Sequence, residues 1–591
     1  MISMFRFGIL LAIPGYFSIA FPVSADAQRQ ANILFILADD MGWGDLGCHG
    51  NDSVSTPNLD LLAAASVEFD RFYTNPLGAA TRASLLTGRY ALRTGVSGVA
   101  GRTSVMRAEE LTMAEVFRSA GYRTALFGKW ANGQQYPNTP AGQGFDTFLG
   151  FYGESIGDYI DPQLVHDGVP VQPKGFITDI LTDSAIGFLA GNRERPFFCF
   201  LSFSAPHSPL QCPDMYFDKY KSAGLSDRNA AIYGMIEHLD ANIGRLLHTL
   251  DSLGLRDDTY VVFLSDNGPE GSRFNGGMRG KKASVYEGGI RVPCFIHRRN
   301  YLSPRHMAAP AAHIDLLPTL TGLCDLSLPG TIQPDGVNLS RIMQGAPDLP
   351  GNRMLFFHHA NAGDPGRRRN TSYPAVVRAG RFALVLDEAG SPELYNLKTD
   401  PGQTTDLYES QEKIAIQLGE QYLNWFIGVT RSGTAPPPIP VGWPESPETE
   451  LPANESQTVG SVHFHKGGQS NDWLEGWVDK RDTATWEIDV RTAGDYIVAV
   501  RYNCDSTFAG SQLRLVSSTG EMLDFNVDEV SFSEEQHGPD RAPRREPGTK
   551  RWKTIEVGNI RLGKGQQTIR LLPHKPTGGM LEVKALLLKK T

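Results

Sequence analysis

The chain has 591 residues, 41% of them hydrophobic and 20% charged, ordinary values for a globular protein that exclude a disordered or collagen-like chain. Such a length is too great for one compact core, so two or more folding units are expected. With 56 basic and 65 acidic residues the net charge is −9, which disfavours nucleic acid as a partner and requires any anionic substrate to be met by a local cationic cluster.

Residues 1–27 carry Arg6, an apolar run from Phe7 to Val23 interrupted by Pro14 and Gly15, and small residues at Ala25 and Ala27. This is the pattern of a signal peptide cut after Ala27. The interruption argues against a spanning helix, which needs ~20 unbroken apolar residues. A secreted or periplasmic protein with no stable membrane anchor after cleavage is therefore expected.

From Ala31 onward, short β-rich runs alternate with amphipathic ones. NILFILADD is followed by a helix-like NLDLLAAASVEF, then YRTALFGK, FFCFLSFSAPH, a long helical period in AAIYGMIEHLDANIGRLLHTLDSL, and TYVVFLSDNG. Continuous apolar strands alternating with helices predict an α/β unit over residues 28–350, a mostly parallel sheet between helices. Ligands of such sheets sit beyond the carboxyl ends of the strands. Those ends carry Asp39-Asp40, Gly128-Lys129, His207 and Asp266-Asn267.

Near residue 375 the pattern changes to AVVRAGRFALVL and ELYNLKTDP, closed by KIAIQLGEQYLNWFIG. This predicts a small antiparallel C-terminal subdomain over 351–431. Residues 432–455 are rich in Pro, Ser and acidic residues and have no period, which predicts a semi-rigid linker. Beyond it, ATWEIDV, DYIVAVRYN, SQLRLVSS, WKTIEVG, QQTIRLL and MLEVKALLL predict a separate antiparallel β-sandwich over 456–591. Carbohydrate binding and a structural cap are equally open roles for it. Cys48, Cys199, Cys212, Cys294, Cys324 and Cys504 are scattered without CxxC pairs, so zinc and thioredoxin-like sites get little support.

Adjacent carboxylates at Asp39 and Asp40 would repel each other unless a cation or a raised pKa relieved them. Asp266-Asn267 closes its strand in the same way, and four oxygen donors from two strand ends suit Ca²⁺ or Mg²⁺ better than a soft metal. Either pair alone would also suit a helix N-cap or a turn.

ILADDMGWGDLGCHG, TPNLDLLA, TRASLLTGRY, GYRTALFGKW, FSAPHSPL, LDANIGRLL, VVFLSDNG, RGKKASVYEGGIRVP, DLLPTL and ELYNLKTDP occur in the order and approximate spacing typical of sulfatases. Over roughly its first two-thirds the chain resembles that family, in particular its arylsulfatase-like members. The resemblance implies an alkaline-phosphatase-like fold, a Ca²⁺ site with Mg²⁺ as the other hard candidate, and sulfate esters as substrates, frequently on sugars. It also implies a sulfated or otherwise anionic carbohydrate as partner. Carried over residue by residue, Asp39, Asp40, Asp266 and Asn267 match the metal ligands. Lys129, Lys282 and His207 match the groups that hold the sulfate oxygens, with His207 also near the leaving oxygen. Arg82 matches the arginine that supports the nucleophile.

Two departures stand out against that pattern. The family motif opens on a Cys or Ser that is oxidised to formylglycine, whose hydrated form attacks sulfur. Counting back from Arg82 and LLTGR puts that position at Gly78, which has no side chain to oxidise. Ala80 replaces the motif proline, and Thr81 keeps a hydroxyl three residues beyond the nucleophile position. The block usually written GKWH reads Gly128-Lys129-Trp130-Ala131, so the histidine that bonds the formylglycine hydroxyl is missing too. No formylglycine is expected. One function that remains is hydrolysis of sulfated or related glycan esters with a divalent metal and a non-standard nucleophile. The others are a catalytically inactive sulfatase-like protein that binds anionic glycans and a decayed enzyme with only structural roles. Retention of all the metal ligands and anion-holding residues favours the first.

Overall fold

A computed structural model describes Met1 and residues 30–331, 333–347, 353–359, 373–575 and 578–591. The expected signal peptide, apart from Met1, lies outside the described residues. Strand β1 (Asn32–Ala38) is buried along its whole length. Ile33, Phe35 and Leu37 enter one apolar cluster while Leu34, Ile36 and Ala38 enter another, which is why the run is continuously apolar rather than alternating. Burying one such large side chain contributes roughly 1.5–3 kcal/mol. Strands β2 (Arg123–Lys129), β3 (Phe197–Ser202) and β4 (Thr259–Ser265) join it in parallel. Their order across the sheet is β4-β1-β3-β2, with Ile33 opposite both Phe198 and Tyr260. Further strands widen the sheet to ten, among them Cys294–His297, which runs antiparallel to β4.

Helices α1 (Pro57–Ala64), α2 (Gly78–Thr87), α3 (Ile177–Gly191) and α4 (Asp227–Ser252) belong to the same unit. Ser226 caps α4 by accepting from Asn229 N, and Ile232, Ile236, Leu239, Ile243, Leu246 and Leu250 form its apolar stripe. The run NLDLLAAASVEF divides between two elements. Its helix stops at Ala64, and Val67–Phe69 is a strand paired with Cys294–His297, the placement that suits a β-branched and an aromatic residue. The expected α/β architecture is present, as is the antiparallel subdomain. In the latter, Met354–His358, Ala375–Ala379, Phe382–Leu386 and Pro392–Asn396 form one sheet, covered by Glu412–Val429 through Ala415, Leu418 and Tyr422.

The linker expected over 432–455 is corrected by the structure. Within it, Ile439–Val441 pairs with Thr483–Val490, and Glu448–Pro452 pairs with Leu581–Lys590. Ile439, Val441 and Leu451 are fully buried in the sandwich core with Trp486 and Tyr496. Proline-rich composition suggested a spacer, but short peripheral strands tolerate proline, and these residues lie there. The sandwich consists of two six-stranded sheets and is not held at a distance. Arg102 Nη1 meets Glu455 Oε2 at 2.7 Å, and Gln134 and Gln135 donate to the same carboxylate.

Residues 434–591 alone should therefore melt cooperatively. Residues 456–591 should melt at a lower temperature or not cooperatively, since each large buried side chain lost costs roughly 2–5 kcal/mol. Equal melts for the two segments, followed by circular dichroism, would show that these strands are dispensable. Among the described residues no helix is long and apolar enough to cross a membrane, and the six cysteines are unpaired.

Candidate functional site

Four adjacent strands release their chains at one end of the sheet, and the chemistry gathers there. Beyond β1 come Asp39 and Asp40, and beyond β4 come Asp266 and Asn267, each at most 1% exposed. Asp40 has φ 67°, a left-handed conformation that aspartate visits more readily than most residues. Its backbone N–H donates to Asp266 Oδ1 at 3.2 Å, and Asn267 Nδ2 donates to Asp40 Oδ1 at 2.8 Å. Lys129 ends β2 with Nζ 2.8 Å from Asp39 Oδ2. Gly128 before it has φ 116°, and a β-carbon there would collide with Ser202 O, so glycine lets β2 pass β3. Lys282 Nζ lies 2.8 Å from Asp40 Oδ2.

Past β3, His207 Nδ1 lies 2.7 Å from Ser208 O, which requires a proton on that nitrogen, while Nε2 faces Asp40 Oδ2 at 3.8 Å. Arg82, on α2 and 1% exposed, donates to Asp266 Oδ2 from Nε at 3.2 Å and Nη2 at 2.9 Å. All the residues expected at the site are thus brought together.

Burial and the neighbouring charges act against each other on the carboxyls of this cluster. Burial pushes the Asp39 carboxyl up, but Lys129, His207, Arg82 and Lys282 together outweigh it and hold it below the usual carboxylate range. Asp40 is lowered in the same way, with Lys282 and His207 overcoming burial. Asp266 goes the other way: burial and the neighbouring Asp39 raise it to about 6 despite Arg82.

These residues fit a hard divalent cation. Asp39 Oδ1 and Asn267 Oδ1 are buried and have no hydrogen-bond partner, a condition that normally costs about 1–3 kcal/mol per group. Both belong to the expected ligand set. Ligand atoms of Asp39, Asp40 and His207 lie within 4.8 Å of one another, and the all-oxygen character of the aspartates and asparagine suits Ca²⁺ or Mg²⁺.

Asp39, Gly78, Lys129, Glu154, His207 and Lys282 line one cavity of about 660 Å³. A β-carbon at Gly78 would lie 2.5 Å from Asp266 Oδ2 and 3.6 Å from Asn267 Oδ1, so the Asp266 carboxylate stands where a side chain at 78 would begin. Ala131, 1% exposed with φ 63°, offers no polar group. Thr81 accepts from Asn75 N at 3.0 Å and donates to Asn75 O at 3.3 Å. It is absent from the cavity lining, and its hydroxyl is used within the turn leading into α2.

Three features of the site were not expected from the sequence. Glu154 faces the cavity, with Oε2 3.6 Å from Lys129 Nζ and Oε1 buried without a partner. Burial, only partly offset by Lys129 and Arg82, raises its carboxyl to about 7. Arg273 joins Asp45 through bonds of 2.7 and 2.6 Å and donates to Asp40 O at 2.9 Å, fixing the turn that carries Asp40. Finally, Gln469, Ser470, Pro543, Arg544, Arg545 and Glu546 of the sandwich also line the cavity. None of these lies in a recognisable motif.

The family model for sulfatases matches residues 31–326. Arylsulfatase A of Homo sapiens is 31% identical over 463 residues, covering 67% of this chain and 87% of that protein. N-acetylgalactosamine-6-O-sulfatase of Bacteroides thetaiotaomicron is 28% identical over 483 residues, 66% of this chain and 92% of that one. Among solved structures, Ps i-CgsB in complex with k-i-k-neocarrahexaose aligns with a TM-score of 0.62 at 25% identity, covering 67% of this chain and 93% of that chain.

Proposed function

Because this chain belongs to the sulfatase family, we propose that it is an exported hydrolase of sulfated or related glycan esters that uses a divalent cation, calcium foremost, and a nucleophile other than formylglycine. The observation that carries this reading is the pair of orphaned buried oxygens, Asp39 Oδ1 and Asn267 Oδ1, at a cavity that also presents Lys129, Lys282 and His207. A relative named N-acetylgalactosamine-6-O-sulfatase and a neighbour described in complex with k-i-k-neocarrahexaose support a saccharide ester as substrate.

Asp39, Asp40, Asp266 and Asn267 would hold the cation, which supplies Lewis-acid polarisation of the ester and neutralises the carboxylates. Lys129 and Lys282 bind the anionic ester oxygens, and Arg82 keeps Asp266 in place. Neither Gly78 nor Ala131 offers an attacking side chain, so water is the attacking group. Its oxygen bonds to sulfur, the sulfur–oxygen bond to the sugar breaks, and the sugar oxygen takes a proton from His207. Glu154, a cavity carboxylate outside the ligand set that faces Lys129 and whose Oε1 has no hydrogen-bond partner, takes the proton released by the water.

A screen of sulfated oligosaccharides with calcium, read by product mass, should show loss of one SO3 group. Lys129→Ala and Lys282→Ala should each weaken binding of inorganic sulfate by about 1.5–3 kcal/mol in calorimetry. Glu154→Gln should lower turnover while leaving that binding in place. Sulfate binding without turnover of any ester would assign a glycan-binding protein instead; no sulfate binding at all would remove the site reading.

A further inference from the structure

The sandwich reaches the catalytic cavity through residues 534–550, an arm running between its strands Met522–Val527 and Lys553–Leu562. The arm is fastened to the α/β unit largely through one carboxylate. Asp158 accepts from Gly538 N at 2.8 Å, from Arg544 Nη2 at 3.1 Å and from Thr549 Oγ1 at 3.1 Å. Arg544, its side chain 3% exposed, also bonds Asp540 at 2.6 Å and donates to Gly157 O. Gln211 Nε2 donates to Asp540 Oδ1 at 2.7 Å, and Arg541 N to Leu210 O at 2.9 Å. Closest to the chemistry, Ser208 Oγ donates to Glu546, one residue from His207. From a second sandwich loop, Ser470 Oγ accepts from Glu154 N at 2.8 Å.

Of the three arginines of the arm that lie at this contact, Arg541, Arg544 and Arg545, one is left over. Arg541 and Arg544 are both consumed in ion pairs. Arg545, between Arg544 and Glu546, lines the same cavity and is exposed, and its guanidinium has no hydrogen bond or ion pair among the described residues. Lys281 of the α/β unit is likewise exposed, unpaired and part of the cavity lining. Lys129 and Lys282, by contrast, are engaged with the carboxylates at the floor. The cavity of about 660 Å³ falls in the range that encloses a drug-sized ligand, far more than one ester group fills.

We propose that the arm is a wall of the substrate site and that Arg545, with Lys281, recognises a second oxyanion group on the saccharide whose ester sits at Lys129 and Lys282. A guanidinium presents paired N–H donors that match a sulfate or a carboxylate. The preferred substrate is then a glycan with two acidic groups on the same or neighbouring sugars. This inference rests on the hydrolase reading for the position of the first group.

Calorimetry on the full chain with calcium tests it, using inorganic sulfate, a monosulfated disaccharide and the same disaccharide carrying two sulfates. Wild type should bind the doubly sulfated sugar about tenfold more tightly than the singly sulfated one. Arg545→Ala should reduce that preference by about three- to tenfold and leave inorganic sulfate binding and the melting temperature unchanged. Arg545→Lys should keep part of it. A uronate in place of the second sulfate separates the two sources of the oxyanion. An Arg545→Ala variant that keeps the full preference, or a wild type that binds sulfate but shows none, overturns the inference and leaves the hydrolase reading standing. Binding of none of the three probes overturns that reading and this inference with it.

Discussion

Calcium added to chelator-treated protein should raise its melting temperature, and Asp39→Asn should abolish most of that response. Asp39 Oδ1 and Asn267 Oδ1 are buried with no donor to satisfy them, and Asp266 is pushed up to about 6 by burial and by Asp39. A divalent cation relieves both conditions at once and binds only the folded state. At a thousandfold excess over its dissociation constant it stabilises that state by about 4 kcal/mol. Asp39→Asn preserves shape and one oxygen but removes the charge that Lys129 faces at 2.8 Å. Identical melting in calcium and in chelator, together with no metal by elemental analysis, would falsify the cation site.

Gly78→Ala should destabilise the protein by about 1–3 kcal/mol, the range for forcing extra volume into a packed site, although an added methyl in a helix ordinarily helps. The reason is the 2.5 Å separation between a β-carbon at 78 and Asp266 Oδ2. Asp266 has nowhere free to go, because Arg82 holds Oδ2 from two nitrogens and Asp40 N–H holds Oδ1. Urea unfolding in chelator measures the effect, and a stability equal to or above wild type would show that Asp266 yields readily. The same contact bears on Gly78→Cys: a thiol placed there for conversion to formylglycine begins against the Asp266 carboxylate.

Asp39, Asp40, Asp266, Asn267, Lys129 and His207 were legible because each lies at or just after the end of a continuously apolar strand, and the sheet brings those ends together whatever the loops do. Lys282 and Arg82 became legible through the family resemblance, since nothing local separates either from a surface charge. Glu154 and Arg273 were not legible: each acts through partners distant in sequence, Lys129 and Asp45 respectively. The strands at 439–441 and 448–452 were hidden for a different reason. Their proline and acidic residues weaken local β propensity, and burial against Thr483–Val490 and Leu581–Lys590 decides their conformation. The arm at 534–550 has little regular structure of its own, and its place beside His207 is set by Asp158 and Ser208.

The sulfatase family model matches residues 31–326, whereas one wall of the cavity is contributed by the sandwich. Family membership therefore carries information about the fold and much less about the guest. On the role proposed for Arg545, two proteins with the same aspartates, lysines and histidine at the floor select different sugars where their C-terminal appendages differ. Assigning a substrate to this chain by kinship would leave out Arg545 and its neighbours on the sandwich wall, where on the reading proposed above selectivity lies.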